Sequence, residues 1–264
     1  MKVRINEKAY NIAEGMTIDE ATNIYKPGAS VFVLNGIAMG SETVLKENDR
    51  LVLIKLGEIP SPEELAAMLT ARNSPGVYEI LQKATVGLAG LGGLGSNVAA
   101  ALVRMGIGRL IGADFDIVEP SNINRQYYFL DQIGMEKSVA LKATLERISP
   151  LTELELVNMR ITEGNAPVFF KGCDIVIEAF DLSYNKILLF ETWQKHRFSR
   201  FFIGASGVSG YIDNPSITVK KFNDGVYMVG DFTSDPSLGL MASRVGIAAS
   251  MQANLTLQLL LGIQ

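Results

Sequence analysis

Gly90-Leu91-Gly92-Gly93-Leu94-Gly95 lies between an apolar run, Ala84 to Ala89, and a helix-forming stretch, Ser96 to Met105. Few folds put three glycines at this spacing there. One glycine makes a tight turn, one lets the backbone approach a phosphate, and one packs helix on strand. Free N–H groups at the start of the helix then face an anion. The surrounding text alternates in the same sense. Arg109 to Asp114, Leu154 to Val157 and Asp174 to Glu178 read as strands; Lys137 to Ile148 and the stretch from Ser183 read as helices. That order predicts an α/β, Rossmann-like, mostly parallel sheet with helices on both faces. Strand-rich text follows over Arg200 to Ala205, Gly210 to Ile212 and Ser216 to Lys221, and the sheet is expected to carry an antiparallel extension.

The text before residue 59 has a different grammar. Lys2 to Ile5 and Ala9 to Ile12 read as short strands. Thr17-Ile18-Asp19-Glu20 is a capping box opening a helix that stops before Pro27-Gly28. Ser30 to Leu34, the turn pair Asn35-Gly36 and a last strand Asp49 to Lys55 complete a ββαββ order, that of a β-grasp, ubiquitin-like module. Ser61-Pro62-Glu63-Glu64 opens a linker helix that ends near Arg72, before Asn73-Ser74-Pro75-Gly76. The expected domains are therefore 1–58, a helical linker 59–82, and 83–264.

Composition limits the chemistry. A formal net charge of -4 argues against a general nucleic-acid binder. The charged start of the chain reads as a strand, not a secretory signal. The apolar stretch from Val245 to Ile263 contains Gln252, Asn254 and Gln258 and reads as a buried or interface helix, not a membrane span. A soluble cytoplasmic protein is expected. The single cysteine, Cys173, and single histidine, His196, allow neither a Cys/His zinc site nor an internal disulfide. Cys173 reads as a buried structural thiol, and His196 as a solvated residue at a polar helix end.

Asp114 ends the second strand of the alternation, 24 residues after Gly90, where an acidic side chain suits a ribose hydroxyl pair. To this point the site fits NAD as well as ATP. The polar loop from Asp116 to Gln126 holds Asn122, Asn124 and Arg125, and Lys137 follows at a helix start. Two cations beside a glycine loop suit a triphosphate and departing pyrophosphate better than a neutral nicotinamide. Asp181 follows the strand Asp174 to Glu178, at the sheet edge where ligands bind, and its carboxylate suits magnesium or the cap of the next helix.

These residues, in this order and spacing, resemble the ThiF/MoeB/HesA family, relatives of the ubiquitin-activating enzymes, over about residues 65 to 264. The resemblance implies an adenylyltransferase that uses ATP and Mg2+ and works as a homodimer. It implies nucleotide contacts from Gly90, Gly92, Gly93 and Gly95, from Asp114 and Asp116, and from Asn122, Arg125, Gln126 and Lys137. Arg125, Lys137 and Asp181 then carry catalysis, with Asp181 on the metal and Arg72 as the extra arginine such enzymes use. The segments 204–207 and 239–262 are expected to frame the pocket. The N-terminal module resembles ThiS, the sulfur carrier these enzymes activate. Carriers end in a free Gly-Gly carboxylate, whereas this module runs from Leu56-Gly57-Glu58 into the linker, so a separate ThiS-like carrier is the expected partner. A separate sulfur donor would complete the thiocarboxylate. The family's paired Cys-x-x-Cys zinc ligands are absent from the sequence, so no zinc is expected. The implied function is activation of the carrier's terminal carboxylate as an acyl-adenylate, in the thiamine-thiazole branch. A carboxylate is already ionised at neutral pH, so this chemistry needs no histidine or cysteine base. The alternatives are a family member acting on another carboxylate or a tRNA-linked one, an NAD-dependent oxidoreductase, and a nucleotide-binding scaffold without activity.

Overall fold

A computed structural model describes residues 1–61, 64–66, 74 and 76–263, arranged as two compact units, Met1–Tyr78 and Glu79–Gln264.

In the first unit, β1 (Lys2–Ile5) pairs antiparallel with β2 (Lys8–Asn11) and parallel with β5 (Arg50–Ile54). β5 pairs in turn with β3 (Val31–Leu34), which turns back through Asn35 and Gly36 into the two-residue β4 (Ile37–Ala38). Both turn residues have positive φ, as a type I′ hairpin demands. Alternation sends Val3 and Ile5 inward, onto Ile18 and Ala21 of α1 (Ile18–Tyr25) and onto Leu51 and Leu53. Thr17 and Glu20 form the expected reciprocal cap. Lys26, after α1, donates to Glu58 at 2.7 Å and Glu64 at 2.8 Å, which pins the outgoing chain. Ser61 and Glu64 cap each other, and residues 64–66 are helical. The rest of the expected linker helix, Arg72 included, lies outside the described residues.

The second unit is built on a seven-stranded sheet in the order β11-β12-β10-β9-β6-β7-β8. Its strands are β6 (Thr85–Ala89), β7 (Arg109–Asp114), β8 (Glu153–Asn158), β9 (Cys173–Glu178), β10 (Ser199–Ala205), β11 (Thr218–Asn223) and β12 (Val226–Gly230). Every pairing is parallel except β11 with β12. The chain winds outward from β6 through β7 to β8, then returns to lay β9 on the other side of β6. The C-terminal ends of β6 and β9 thus border a topological switch point.

A short α2 (Val77–Leu81) precedes β6, and α3 (Gly93–Met105), α4 (Lys137–Ile148), α5 (Ala166–Phe169), α6 (Ser183–His196) and α7 (Ala242–Leu260) cover the large sheet. Phe170 and Trp193 are fully buried against one face. Trp193 also donates its indole N–H to Ser199 Oγ at 2.8 Å, which satisfies the one polar atom its burial would strand. α7 buries Val245, Ala248, Gln252 and Thr256 against α3 and β9. Among the described residues no helix is long and apolar enough to cross a membrane.

Three local expectations are corrected. Gly210 to Ile212 forms no strand; Gly210 makes one isolated bridge to Leu240 and leads into a loop. No strand is expected over Val226–Gly230, yet β12 forms there beside β10; its brief apolar run Val226-Tyr227-Met228-Val229 is too short for periodicity to reveal. α3 starts at Gly93 rather than Ser96, because Gly92 is its N-cap and two further glycines fill the first turn.

Candidate active site

The glycine loop is shaped by close approach. Gly90 has φ +98, and a Cβ there would lie 2.8 Å from the Ala179 carbonyl oxygen on the neighbouring β9 crossover. At Gly95 a Cβ would lie 1.9 Å from the Gly90 carbonyl oxygen, so only glycine lets α3 pack on its own entry loop. Gly92 caps α3 with no side chain, leaving the first-turn N–H groups at the mouth of the switch point.

Asp114, at the end of β7, braces this loop. Its Oδ2 accepts from Leu91 N at 2.7 Å and its Oδ1 from Asp116 N at 3.0 Å. Each carboxylate oxygen retains acceptor capacity for a sugar hydroxyl. Lys137 donates to Asp116 Oδ2 at 2.9 Å and is itself buried, whereas Asp116 is half exposed. Arg125 folds onto its own loop, donating to Ser121 O at 3.0 Å and Asn124 Oδ1 at 2.9 Å. Among the described residues it has no carboxylate partner, so its charge is available to an anion.

Sequence reasoning passed over the residues that hold these cations beside the glycines. Ser96 Oγ donates to Gly92 O and accepts from Tyr127 N; Asn97 donates to both Gly93 O and Arg125 O. Tyr128 donates to Leu91 O at 2.7 Å from a buried position, and that burial raises its phenol well above the usual range. Short polar residues in the first turn of a helix were the available signal.

Asp181 follows β9, exposed, with Oδ1 accepting from Leu182 N at 2.8 Å. Three residues earlier Glu178 is fully buried. Its carboxylate accepts from Lys186 Nζ at 2.9 and 3.2 Å, from Phe180 N at 2.7 Å and from Ala205 N at 3.4 Å; Lys186 also donates to Ala205 O at 3.1 Å. This ion pair fastens the end of β9 to the end of β10 through both peptide groups of Ala205. Burial raises the Glu178 carboxyl, and Lys186 opposes the rise. Beyond β10, Asp231 is buried with Arg244, which also donates to Ile212 O and Ser216 Oγ. Burial works against the Asp231 charge, but the N–H groups of Thr233 and Ser234 and the Arg244 guanidinium outweigh it and hold the carboxyl down to about 2.

These elements surround one cavity of about 600 Å³. Gly90, Gly92, Gly93, Asp114, Asp116, Arg125, Gln126, Lys137 and Asp181 all line it, together with Ala205, Ser206 and Gly207 and, from the last segment, Leu240 and Val245. Two expected contacts do not. Gly95 serves packing, as above. Asn122 is buried behind the wall, its Oδ1 accepting from Glu119 N at 3.1 Å to close the Pro120–Asn122 turn. Cys173 is buried at the start of β9, with its thiol pushed up to about 12 by burial, and His196 is exposed at the end of α6.

Fold and cavity together define a doubly wound α/β unit with an anion-facing glycine loop at its switch point, in one chain with a β-grasp module. The chain belongs to the ThiF family, whose model matches residues 66–264, and a ThiS-like ubiquitin model matches residues 1–57. Ubiquitin-like modifier-activating enzyme 5 of Arabidopsis thaliana is 45% identical over 85 residues, covering 32% of this chain and 20% of the relative. The Drosophila melanogaster enzyme of the same name is 37% identical over 127 residues, covering 48% and 31%. The matches thus span less than a third of these curated relatives' own length. Among solved structures, E. coli tRNA N6-threonylcarbamoyladenosine dehydratase, TcdA, in complex with ATP has a TM-score of 0.67 at 21% identity, covering 74% of this chain and 93% of that one. E. coli MccB with ATP has a TM-score of 0.59 at 18% identity, covering 79% and 65%. Both share the fold.

Proposed function

We propose that this chain is an adenylyltransferase that joins a carboxylate to AMP. One observation carries the reading: Asp114, Arg125, Lys137 and Asp181 line the same cavity as the open first turn of α3. A ribose acceptor, two cations and a carboxylate around a helix N-terminus suit ATP better than a neutral nicotinamide. A carboxylate oxygen of the substrate attacks the α-phosphorus of ATP. The new O–P bond forms as the bond to the β-phosphate oxygen breaks, and pyrophosphate leaves with the electron pair. Arg125 and Lys137 balance the charge that builds on the transferring and leaving phosphates.

Asp181 fits a magnesium ion: such ions keep several waters and take one or two carboxylates along with substrate phosphates. Bound there, magnesium would neutralise phosphate charge. Arg72 stays the sequence-based candidate for a further arginine, in a homodimer.

The substrate we infer is the C-terminal Gly carboxylate of a separate ThiS-like sulfur carrier, in the thiazole branch of thiamine synthesis, with a separate donor supplying sulfur. The ThiS-like module at residues 1–57 and the protein-activating relatives support a protein substrate. We assign the module itself a structural or regulatory role, since its chain continues past Gly57 and is pinned by Lys26. ATP–pyrophosphate exchange tests the reading. Exchange that requires a carrier ending in Gly-Gly, and stops when the last glycine is removed, supports it. ATP binding without exchange on any carrier would instead favour another carboxylate, a tRNA-linked one included, or a scaffold.

A further inference from the structure

Arg244 is 3% exposed and lies one residue from the cavity wall, yet the proposed reaction gives it no part. From the first turn of α7 it ties two loops together. It pairs with Asp231 after β12, and it donates to Ile212 O at 2.6 Å and to Ser216 Oγ at 3.2 Å in the loop after β10. The start of α7 is seated on the nucleotide side without this residue. Val245 lines the cavity, and a Cβ on Gly93 would lie 3.3 Å from Val245 Cγ1.

Asp231 carries the tie onward. Its N–H donates to Gly207 O at 2.9 Å, and its Oδ1 accepts from Thr233 N at 2.8 Å and Ser234 N at 2.7 Å. Ser234 Oγ in turn accepts from Ser209 N at 3.1 Å. Phe232 has φ +66, a conformation that bulky side chains avoid, and its N–H donates to Ser206 O at 3.2 Å. Such backbone persists only where its surroundings over-determine it. The fit is close: a Cβ on Gly207 would fall 2.2 Å from Asp231 Oδ1. The residues held in this way, Ser206, Gly207, Ser209 and Ser234, all line the cavity, whereas Asp231 and Arg244 stand behind it.

Strand order fixes which side of the cavity this is. β6 and β7 carry the glycine loop and Asp114, the phosphate and ribose side. β10 and β12 lie on the other side of β9. That side is left for the group that attacks the α-phosphorus.

Resting on the carboxylate-activation reading above, we infer that Arg244 is a positioning residue for the acyl substrate. Through Asp231 it fixes the wall at residues 206–209 at the separation from the glycine loop that lets a carboxylate reach phosphorus. Losing the tie loosens the acyl side and leaves the nucleotide side in place. A misplacement of about 1 Å is enough to cost much of the rate.

Comparing wild type with Arg244→Met, Arg244→Lys and the double variant Arg244→Met/Asp231→Asn tests this. The double variant leaves no unpaired buried charge, so it separates loss of the tie from loss of the fold. In amide hydrogen exchange of the full chain, residues 206–217 and 231–234 should exchange roughly tenfold faster in both methionine variants, with residues 93–105 unchanged. Calorimetric ATP affinity should stay within about twofold of wild type, since separated sites act nearly independently. In pyrophosphate exchange, KM for a ThiS-like carrier ending in Gly-Gly should rise about tenfold. Arg244→Lys keeps the charge pair and should recover part of that loss. Unchanged amide exchange over 206–217 would overturn the proposal. So would an ATP affinity that falls as far as KM rises, which would make Arg244 a general support of the fold. A wild type that binds ATP but activates no carrier would instead overturn the carrier reading, and the amide exchange rates would still decide whether Arg244 holds the wall.

Discussion

Replacing Lys186 by methionine isolates what the buried ion pair at the head of β9 contributes. Lys186 supplies three donors, to both oxygens of Glu178 and to the Ala205 carbonyl. Removing one partner of a buried pair costs about 3–5 kcal/mol, because the other charge is left without compensation. Lys186 keeps 26% of its side chain exposed, against 2% for Glu178, so water can reach part of the vacated space. The loss should lie near the lower bound, about 3 kcal/mol, or roughly 6–12 °C in Tm for a unit of this size. Burial already raises the Glu178 carboxyl in the intact pair, and without Lys186 it rises further. The folded state then favours the protonated acid. The penalty is therefore least at or below about pH 4.3, the unfolded value, grows as pH climbs toward the raised folded one and levels off above it. Urea denaturation of variant and wild type at pH 5 and pH 7.5 measures this. The deficit should be larger at pH 7.5, and adding Glu178→Gln to Lys186→Met should recover most of it. A deficit below about 1 kcal/mol at pH 7.5, or one equal at the two pH values, would refute the argument.

Gly95→Ala should weaken ATP binding by tenfold or more, because its Cβ would fall 1.9 Å from the Gly90 carbonyl oxygen and force α3 off the loop; equilibrium titration reads this directly. Asp181→Ala should abolish pyrophosphate exchange with an unchanged melting curve, since the carboxylate is exposed and its one hydrogen bond is to the adjacent Leu182 N–H. An active Asp181→Ala enzyme would sink the metal assignment. Cys173→Ala should keep full exchange activity, and in the native protein the thiol should resist alkylation at pH 8, because burial lifts it to about 12.

Much of the site was legible because its parts are local. The glycine spacing, the acidic end of β7 and the Thr17–Glu20 cap depend on turn geometry and on hydrogen bonds across a few residues, which the order of residues specifies directly. The capping box at Ser61 and the sheet class follow for the same reason. Sequence also marked Arg125, Lys137 and Asp181 as neighbours of the loop, although nothing local requires their meeting.

Three-dimensional packing decided the rest. Asn122 and Arg125 are three residues apart in one polar loop; one turns inward to close a turn and the other lines the cavity. Polar character alone does not say which. β12 was invisible because a short apolar run owes its strand state to β10 beside it, not to any periodicity of its own. Glu178 and Lys186 meet Ala205 only because the crossover brings β9 and β10 together. Local sequence determines which short segments turn, cap and extend. Which distant side chains share a cavity is set by strand order, since contacts between residues far apart in the chain have their energy fixed by the assembled sheet.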